Sequence, residues 1–251
     1  MAALPGESST QAILLDIEGT TTPIDFVYRI LFPYARERLD QFLRERGDEP
    51  AVRDDIQALR AQHGSDPREH PNPPVWNDES PALERASATA YALWLMDRDS
   101  KCSALKSLQG KIWQDGYGAG DLRGEVYPDV PKALARWSRK GKIICIYSSG
   151  SVLAQKLLFS STAFGDLTRF LQAYFDLAVG PKYAPESYAH IAQAIALEPS
   201  RIFFTSDVAK ELDAARSTGM QTALCSRREF ATEIASTHPV IHSFEEIFSG
   251  C

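Results

Sequence analysis

The sequence predicts an α/β protein: a doubly wound parallel sheet with a helical segment inserted after its first strand. Three observations carry that expectation. Short apolar runs recur at 12–16, 142–147, 201–205 and 221–225, the first three emptying into polar or acidic residues. Helical periodicity fills the gaps between the later runs, and the stretch 25–127 is helical in pattern with no apolar strand. Runs without polar alternation suit strands buried on both faces, and strands alternating with helices build parallel sheets.

Taken in order, Ala12 to Asp16 (AILLD) is the first strand, and it empties into Ile17-Glu18-Gly19-Thr20. Helices are expected at Phe26 to Arg46, Ala51 to Gln62 and Pro81 to Asp99, with a Pro- and charge-rich loop at His63 to Pro74. The alternation resumes with a helix at Val130 to Lys140 and a strand at Lys142 to Tyr147 (KIICIY) that runs into Ser148-Ser149-Gly150-Ser151. Helices at Val152 to Phe159 and Ser187 to Ala196 follow, then the strand Arg201 to Thr205 (RIFFT), which ends at Ser206-Asp207. A helix at Val208 to Thr218 stops at Gly219 and leads to the strand Gln221 to Cys225. Two domains are expected: an α/β core of 1–24 and 128–251, and a helical cap, or lid, of 25–127. Ligands bind at the carboxyl ends of such strands. Asp16, Ser148 and Asp207 all fall there.

Composition narrows the function classes. With 44% hydrophobic and 24% charged residues the chain is of ordinary globular type, and its 251 residues allow a sizeable core. The 33 acidic against 27 basic residues give a net charge of −6 with no Lys/Arg block, so nucleic acid is not an expected partner. No apolar run is long enough to span a bilayer, and MAALPGESSTQ lacks the basic-then-apolar pattern of a leader. Cys102, Cys145, Cys225 and Cys251 form no CxxC pair, which points to a reducing compartment, the cytoplasm. His238 and His242 are four apart, but Pro239 argues against a helical zinc pair, and both are expected at the surface.

The chemistry concentrates at strand ends. Asp16 and Glu18 place two carboxylates after a strand, able to serve as nucleophile and proton carrier, or simply to cap a loop or bind a structural ion. Ser148 and Ser149 offer hydroxyls and N–H groups to a phosphate ahead of a helix, or an ordinary serine cap. Lys182, in Gly180-Pro181-Lys182-Tyr183, is either a loop lysine in solvent or the local positive charge that an acidic protein needs near an anion. Asp207 is either a hard oxygen ligand for Mg²⁺ or a helix cap.

Their joint order, carboxylates, then serine, then lysine, then aspartate, resembles that of the haloacid dehalogenase-like phosphatases. Within that superfamily DIEGTTTPIDFV (16–27), LQGKIWQDGYGAGDLRGEVYPDVPKAL (108–134), IYSSGSVLAQKLLF (146–159) and the GPK and ESY pieces of 180–188 resemble the enolase-phosphatases, or acireductone synthases, of methionine salvage. The resemblance implies a HAD-like Rossmannoid core and a substrate that is a small phosphorylated diketone, 2,3-diketo-5-methylthiopentyl-1-phosphate, enolised and then dephosphorylated. It implies one Mg²⁺ per subunit, held by the side chains of Asp16 and Asp207 and the backbone carbonyl of Glu18. Catalytic roles fall to Asp16, Glu18 and Lys182, and phosphate binding to Ser148, Ser149 and Lys182. A cytoplasmic monomer is expected, with the nucleus possible in a eukaryote. Trp113 and Tyr117 are options for an apolar pocket around the methylthio end, or packing residues. Glu211 stands where the superfamily has an aspartate, which leaves its part open. A phosphatase for another small phosphomonoester, a metal-free dehalogenase and a non-catalytic binding protein are the rival readings.

Overall fold

The structure, a computed structural model, describes residues 4, 6–66, 72–227 and 236–248. In chain order its main elements are β1 (Ala12–Leu15), α1 (Ile24–Phe26), α2 (Phe32–Arg46), α3 (Pro50–Ser65), α4 (Pro81–Asp97) and α5 (Ser103–Ala119). Then come α6 (Val130–Arg139), β2 (Ile143–Tyr147), α7 (Val152–Ser160), β3 (Ala173–Phe175) and α8 (Pro185–Ala194). The chain closes with β4 (Ile202–Ser206), α9 (Ala209–Ser217), β5 (Gln221–Cys225) and β6 (Val240–Ile241). Two compact units result: Met1–Val27 with Arg123–Cys251, and Tyr28–Leu122.

The first unit is a six-stranded sheet in the order β3-β2-β1-β4-β5-β6, with every neighbouring pair parallel. β1 is central because all four of its residues are apolar and buried on both faces. Its register sets Leu15 opposite Ile146 on β2 and Thr205 on β4. One step further along the sheet the chain reaches Asp16, and two steps further it reaches Ser148 and Asp207, so the register itself gathers them at the carboxyl edge. On one face Ala12, Leu14 and Phe204 pack against Tyr188, Ile191 and Leu212 of α8 and α9. Full burial of side chains this size contributes roughly 1.5–3 kcal/mol each, which makes the sheet a rigid mount for whatever its edge carries.

The second unit packs α2 to α5 around Leu39, Leu43, Val52, Leu59 and Leu108, all fully buried. Trp113 is buried there, and its Nε1 donates to the carbonyl of Leu31 at 2.8 Å. Gly116 permits a close approach: a Cβ would lie 2.5 Å from the Tyr34 hydroxyl oxygen. Among the described residues no helix is long and apolar enough to cross a membrane.

The structure departs from the sequence expectations in several places. α5 was not predicted as a helix, since Gly110, Gly116 and Gly118 mask its periodicity. β3 and β6 were not predicted either; with only three and two residues they are too short to stand out as apolar runs. α3 continues through His63 to Ser65, part of the predicted loop, and 67–71 of that loop lie outside the described residues. His238 is buried, not at the surface: its ring bonds Thr222 Oγ1 at 2.7 Å and Asp213 Oδ1 at 3.0 Å. Cys102, Cys145 and Cys225 are free, and Cys251 lies outside the described residues. The units divide at 27/28 and 122/123, a few residues from the expected 24/25 and 127/128. The backbone of 123–127 is tied to the sheet unit, with Gly124 N–H on Ser161 O and Tyr127 N–H on Thr21 O.

Candidate active site

Asp16 sits one residue past β1 and is 2% exposed. The loop after it is wound about a single acceptor: the carbonyl of Ile17 receives the N–H groups of Thr20, Thr21 and Thr22 at 3.1, 3.0 and 2.9 Å. That tight winding needs a left-handed residue at its start, and Gly19, at φ +75°, supplies it. Gly19 also makes room for a carboxylate, because a Cβ there would lie 2.3 Å from Asp207 Oδ2. The Thr20 hydroxyl donates to Asp16 Oδ2 at 3.1 Å, and the Thr21 hydroxyl donates to the Asp16 carbonyl at 3.0 Å. The three threonines are thus the scaffold of the Asp16 loop.

Lys182 comes to the same point from the loop between β3 and α8. Three hydroxyls shape that loop: Tyr147 donates to the Gly180 carbonyl at 2.8 Å, Ser187 to Pro181 at 2.8 Å and Tyr188 to Lys182 at 2.7 Å. The Lys182 ammonium, on a side chain 10% exposed, pairs with Asp16 Oδ1 and, at 2.7 Å, with Glu211 Oε2. Burial alone would discharge it, but the charges of Asp16 and Glu211 outweigh burial and hold its pKa above the usual lysine value. It is a fixed cation, not a solvated loop lysine.

Glu18 is half-buried, and Ser148 Oγ donates to its Oε2 at 3.2 Å. Desolvation, reinforced by the charge of Asp16, raises the Glu18 pKa. Ser148 is fully buried and its Oγ accepts from Gly150 N–H at 3.0 Å. Ser151, not Ser148, is the N-cap of α7. Ser149, half-buried, stands between them. Asp207 is pushed up to about 7 by burial and by the negative charges of Asp16 and Glu211. The structure therefore brings Asp16, Glu18, Ser148, Lys182 and Asp207 together at one edge of the sheet.

Glu211 joins them, and the sequence alone gave it no role. It lies on α9, accepts from Ser206 Oγ at 2.8 Å and braces Lys182. Burial, with Asp16, raises its pKa against the opposing pull of Lys182. Its spacing from Asp207, one helical turn, was the available signal. Around one ammonium there are then four carboxylates, Asp16, Glu18, Asp207 and Glu211. A carboxylate held near 7 is the mark of a place short of positive charge. Among the described residues no three His, Cys, Asp or Glu side chains converge as a metal cage. Hard oxygens from Asp16 and Asp207 suit Mg²⁺, which takes one or two carboxylates and fills its shell with water and phosphate oxygens.

Comparison with known proteins gives the same direction. A family model for haloacid dehalogenase-like hydrolases matches residues 10–219. The chain is 43% identical over 244 residues to the enolase-phosphatase E1 of Synechococcus elongatus, covering 97% of this chain and 100% of that protein. It is 42% identical over 237 residues to the enolase-phosphatase E1 of Pseudomonas aeruginosa, covering 94% and 97%. The crystal structure of the UTR4 protein of Saccharomyces cerevisiae matches with a TM-score of 0.75 at 33% identity, over 94% of this chain and 99% of that one.

Proposed function

Because the chain belongs to the haloacid dehalogenase-like hydrolases and, within them, to the enolase-phosphatases, we propose that Asp16 is the nucleophile that takes phosphate from an enolised diketone ester. The substrate in this reading is 2,3-diketo-5-methylthiopentyl-1-phosphate, and the products are the acireductone of methionine salvage and phosphate. The observation that carries it is the buried Asp16 carboxylate, clamped by Thr20 and Lys182, with a Glu18 of raised pKa two residues on.

Asp16 attacks phosphorus and forms an acyl phosphate. Lys182, with the hydroxyls of Ser148 and Ser149, holds the phosphoryl oxygens and offsets their repulsion of the Asp16 carboxylate. Glu18, protonated at a higher pH than an ordinary glutamate, gives its proton to the departing oxygen and then draws one from the water that opens the acyl phosphate. In the preceding enolisation Glu18 is the base for the carbon-bound proton. Asp16, Asp207 and the Glu18 carbonyl would hold Mg²⁺, which supplies Lewis-acid stabilisation of the phosphoryl charge. The reading carries with it a cytoplasmic monomer acting on a small phosphorylated molecule. Trp113, committed to its hydrogen bond with Leu31, is a packing residue.

The test follows the enol chromophore and phosphate release together, on this diketo ester, with Mg²⁺ present. Both signals are expected from the native protein. Phosphate release from other esters but none from this one would leave a phosphatase and remove the pathway. Glu18→Gln separates the two roles of that residue: loss of both signals is expected, and an intact enolisation rate would assign the base elsewhere.

Metal binding should depend on pH in a defined direction. With Asp207 held at about 7, protons compete with Mg²⁺ below that value. Apparent affinity is expected to be flat at pH 8 and above, and to fall by up to about tenfold per unit below 7. The linked stability has the same origin. The folded pKa lies above the ordinary 3.8, so the metal-free protein loses stability as pH rises from about 4 through about 7. Mg²⁺ should therefore raise Tm more at pH 8 than at pH 5.5. Titration calorimetry giving equal affinities at the two pH values would refute this.

A further inference from the structure

One buried arginine outside the reacting groups touches the nucleophile loop. Arg227 follows β5, and its side chain is 8% exposed. Its Nε donates to the Thr20 carbonyl at 2.9 Å, while its Nη1 donates to Asp129 Oδ2 at 2.7 Å and to the His242 carbonyl at 3.3 Å. The guanidinium lies 4.4 Å from the ring centroid of Tyr127 and 4.5 Å from that of Phe244. Asp129 is itself fixed, accepting from the Phe244 N–H at 2.6 Å and from the Ser243 hydroxyl at 3.1 Å. Thr20 is thus held at both ends: its carbonyl takes Arg227, and its hydroxyl goes to Asp16 Oδ2 at 3.1 Å.

We propose that Arg227 is a positioning residue for the reaction, holding Thr20 so that the Thr20 hydroxyl fixes the rotation of the Asp16 carboxylate. A planar guanidinium can meet a carboxylate and a carbonyl at once along fixed directions, which an ammonium on a flexible stem cannot. Burial between rings removes the slack that water would allow. Lys182 grips Asp16 Oδ1 from the opposite side. With Thr20 free to drift, the nucleophile keeps its charge partner but loses its second restraint. Arg227 touches no reacting atom in this account; its effect passes through Thr20.

The inference rests on Asp16 being the nucleophile, and the experiment keeps the two apart. Arg227→Lys, Arg227→Ala, Thr20→Val, the Arg227→Lys/Thr20→Val double variant and Asp16→Asn are assayed with Mg²⁺ for kcat and KM, alongside Tm. Misplacement of a reacting group by about 1 Å costs on the order of 100-fold, so kcat should fall about 100-fold in Arg227→Ala and about tenfold in Arg227→Lys, with KM within about threefold. Thr20→Val, which removes the hydroxyl itself, should match Arg227→Ala, and the double variant should be no slower than the worse single, because both act on one path. Millimolar guanidinium should restore part of the kcat of Arg227→Ala. If that variant does not fold, Arg227→Lys and the double variant decide. Native kcat with a lowered Tm, or full additivity in the double variant, would reduce Arg227 to a structural pin and overturn the proposal. Phosphate release by Asp16→Asn would instead remove the nucleophile assignment.

Discussion

Asp16→Asn is expected to abolish phosphate release, by about 10⁴-fold or more, while leaving the fold intact. The amide has the shape of the carboxylate, so it can still accept the Thr20 hydroxyl and face Lys182. It cannot attack phosphorus. Lys182 keeps Glu211 as its counterion, at 2.7 Å, so no buried cation is stranded. The variant also sheds a charge that raises the pKa of both Glu18 and Asp207. Its Tm should therefore stay within a few degrees of native, about what 1 kcal/mol moves in a protein of this size. Phosphate release at about a hundredth of the native rate or faster would place the nucleophile elsewhere.

Lys182→Ala is the second large effect, and it strikes both chemistry and stability. Removing a buried charge that stabilises phosphoryl oxygens costs about 10²–10³ in kcat. Among the described residues it also leaves Asp16, Glu18, Asp207 and Glu211 without the lysine that pairs with two of them. Deleting one partner of a buried pair costs about 3–5 kcal/mol. The sign with pH follows from the carboxylates that remain. Without the ammonium the already raised pKa values of Glu18, Asp207 and Glu211 rise further, so the variant should regain stability as pH falls and these groups take up protons. Thermal melts at pH 8 and pH 5.5 check this: the gap from native should narrow at the lower pH. An equal gap at both values would mean that Lys182 does not hold these charges together.

How much of this was legible in the sequence depends on what each residue announces locally. Asp16, Ser148 and Asp207 end runs that are apolar without alternation, and such runs are buried strands whose carboxyl ends share an edge. Lys182 was legible only through the family resemblance, since nothing in a four-residue loop says where its ammonium goes. The brace from Glu211 and the reach of Arg227 to Thr20 are long-range contacts between residues with no local signature. β3 was missed for a related reason: at the sheet's edge, Ala173 and Tyr174 are only half-buried and need no apolar run. α5 was obscured by glycines whose purpose appears only in three dimensions, as where Gly116 receives Tyr34.

The position of β1 has a consequence for how the chain is made. Its partners are residues 143–146 on one side and 202–205 on the other. On the ribosome the first strand therefore waits, unpaired and wholly apolar, until the chain has grown past both. The segment 28–122 emerges in the interval and closes on contacts nearer in sequence. Such long-delayed pairing slows folding and prolongs the exposure of a sticky segment. The loop that carries Asp16 is thus set in place only after residues far downstream have emerged. Expression at lower temperature, or with chaperones in excess, should accordingly raise the soluble yield.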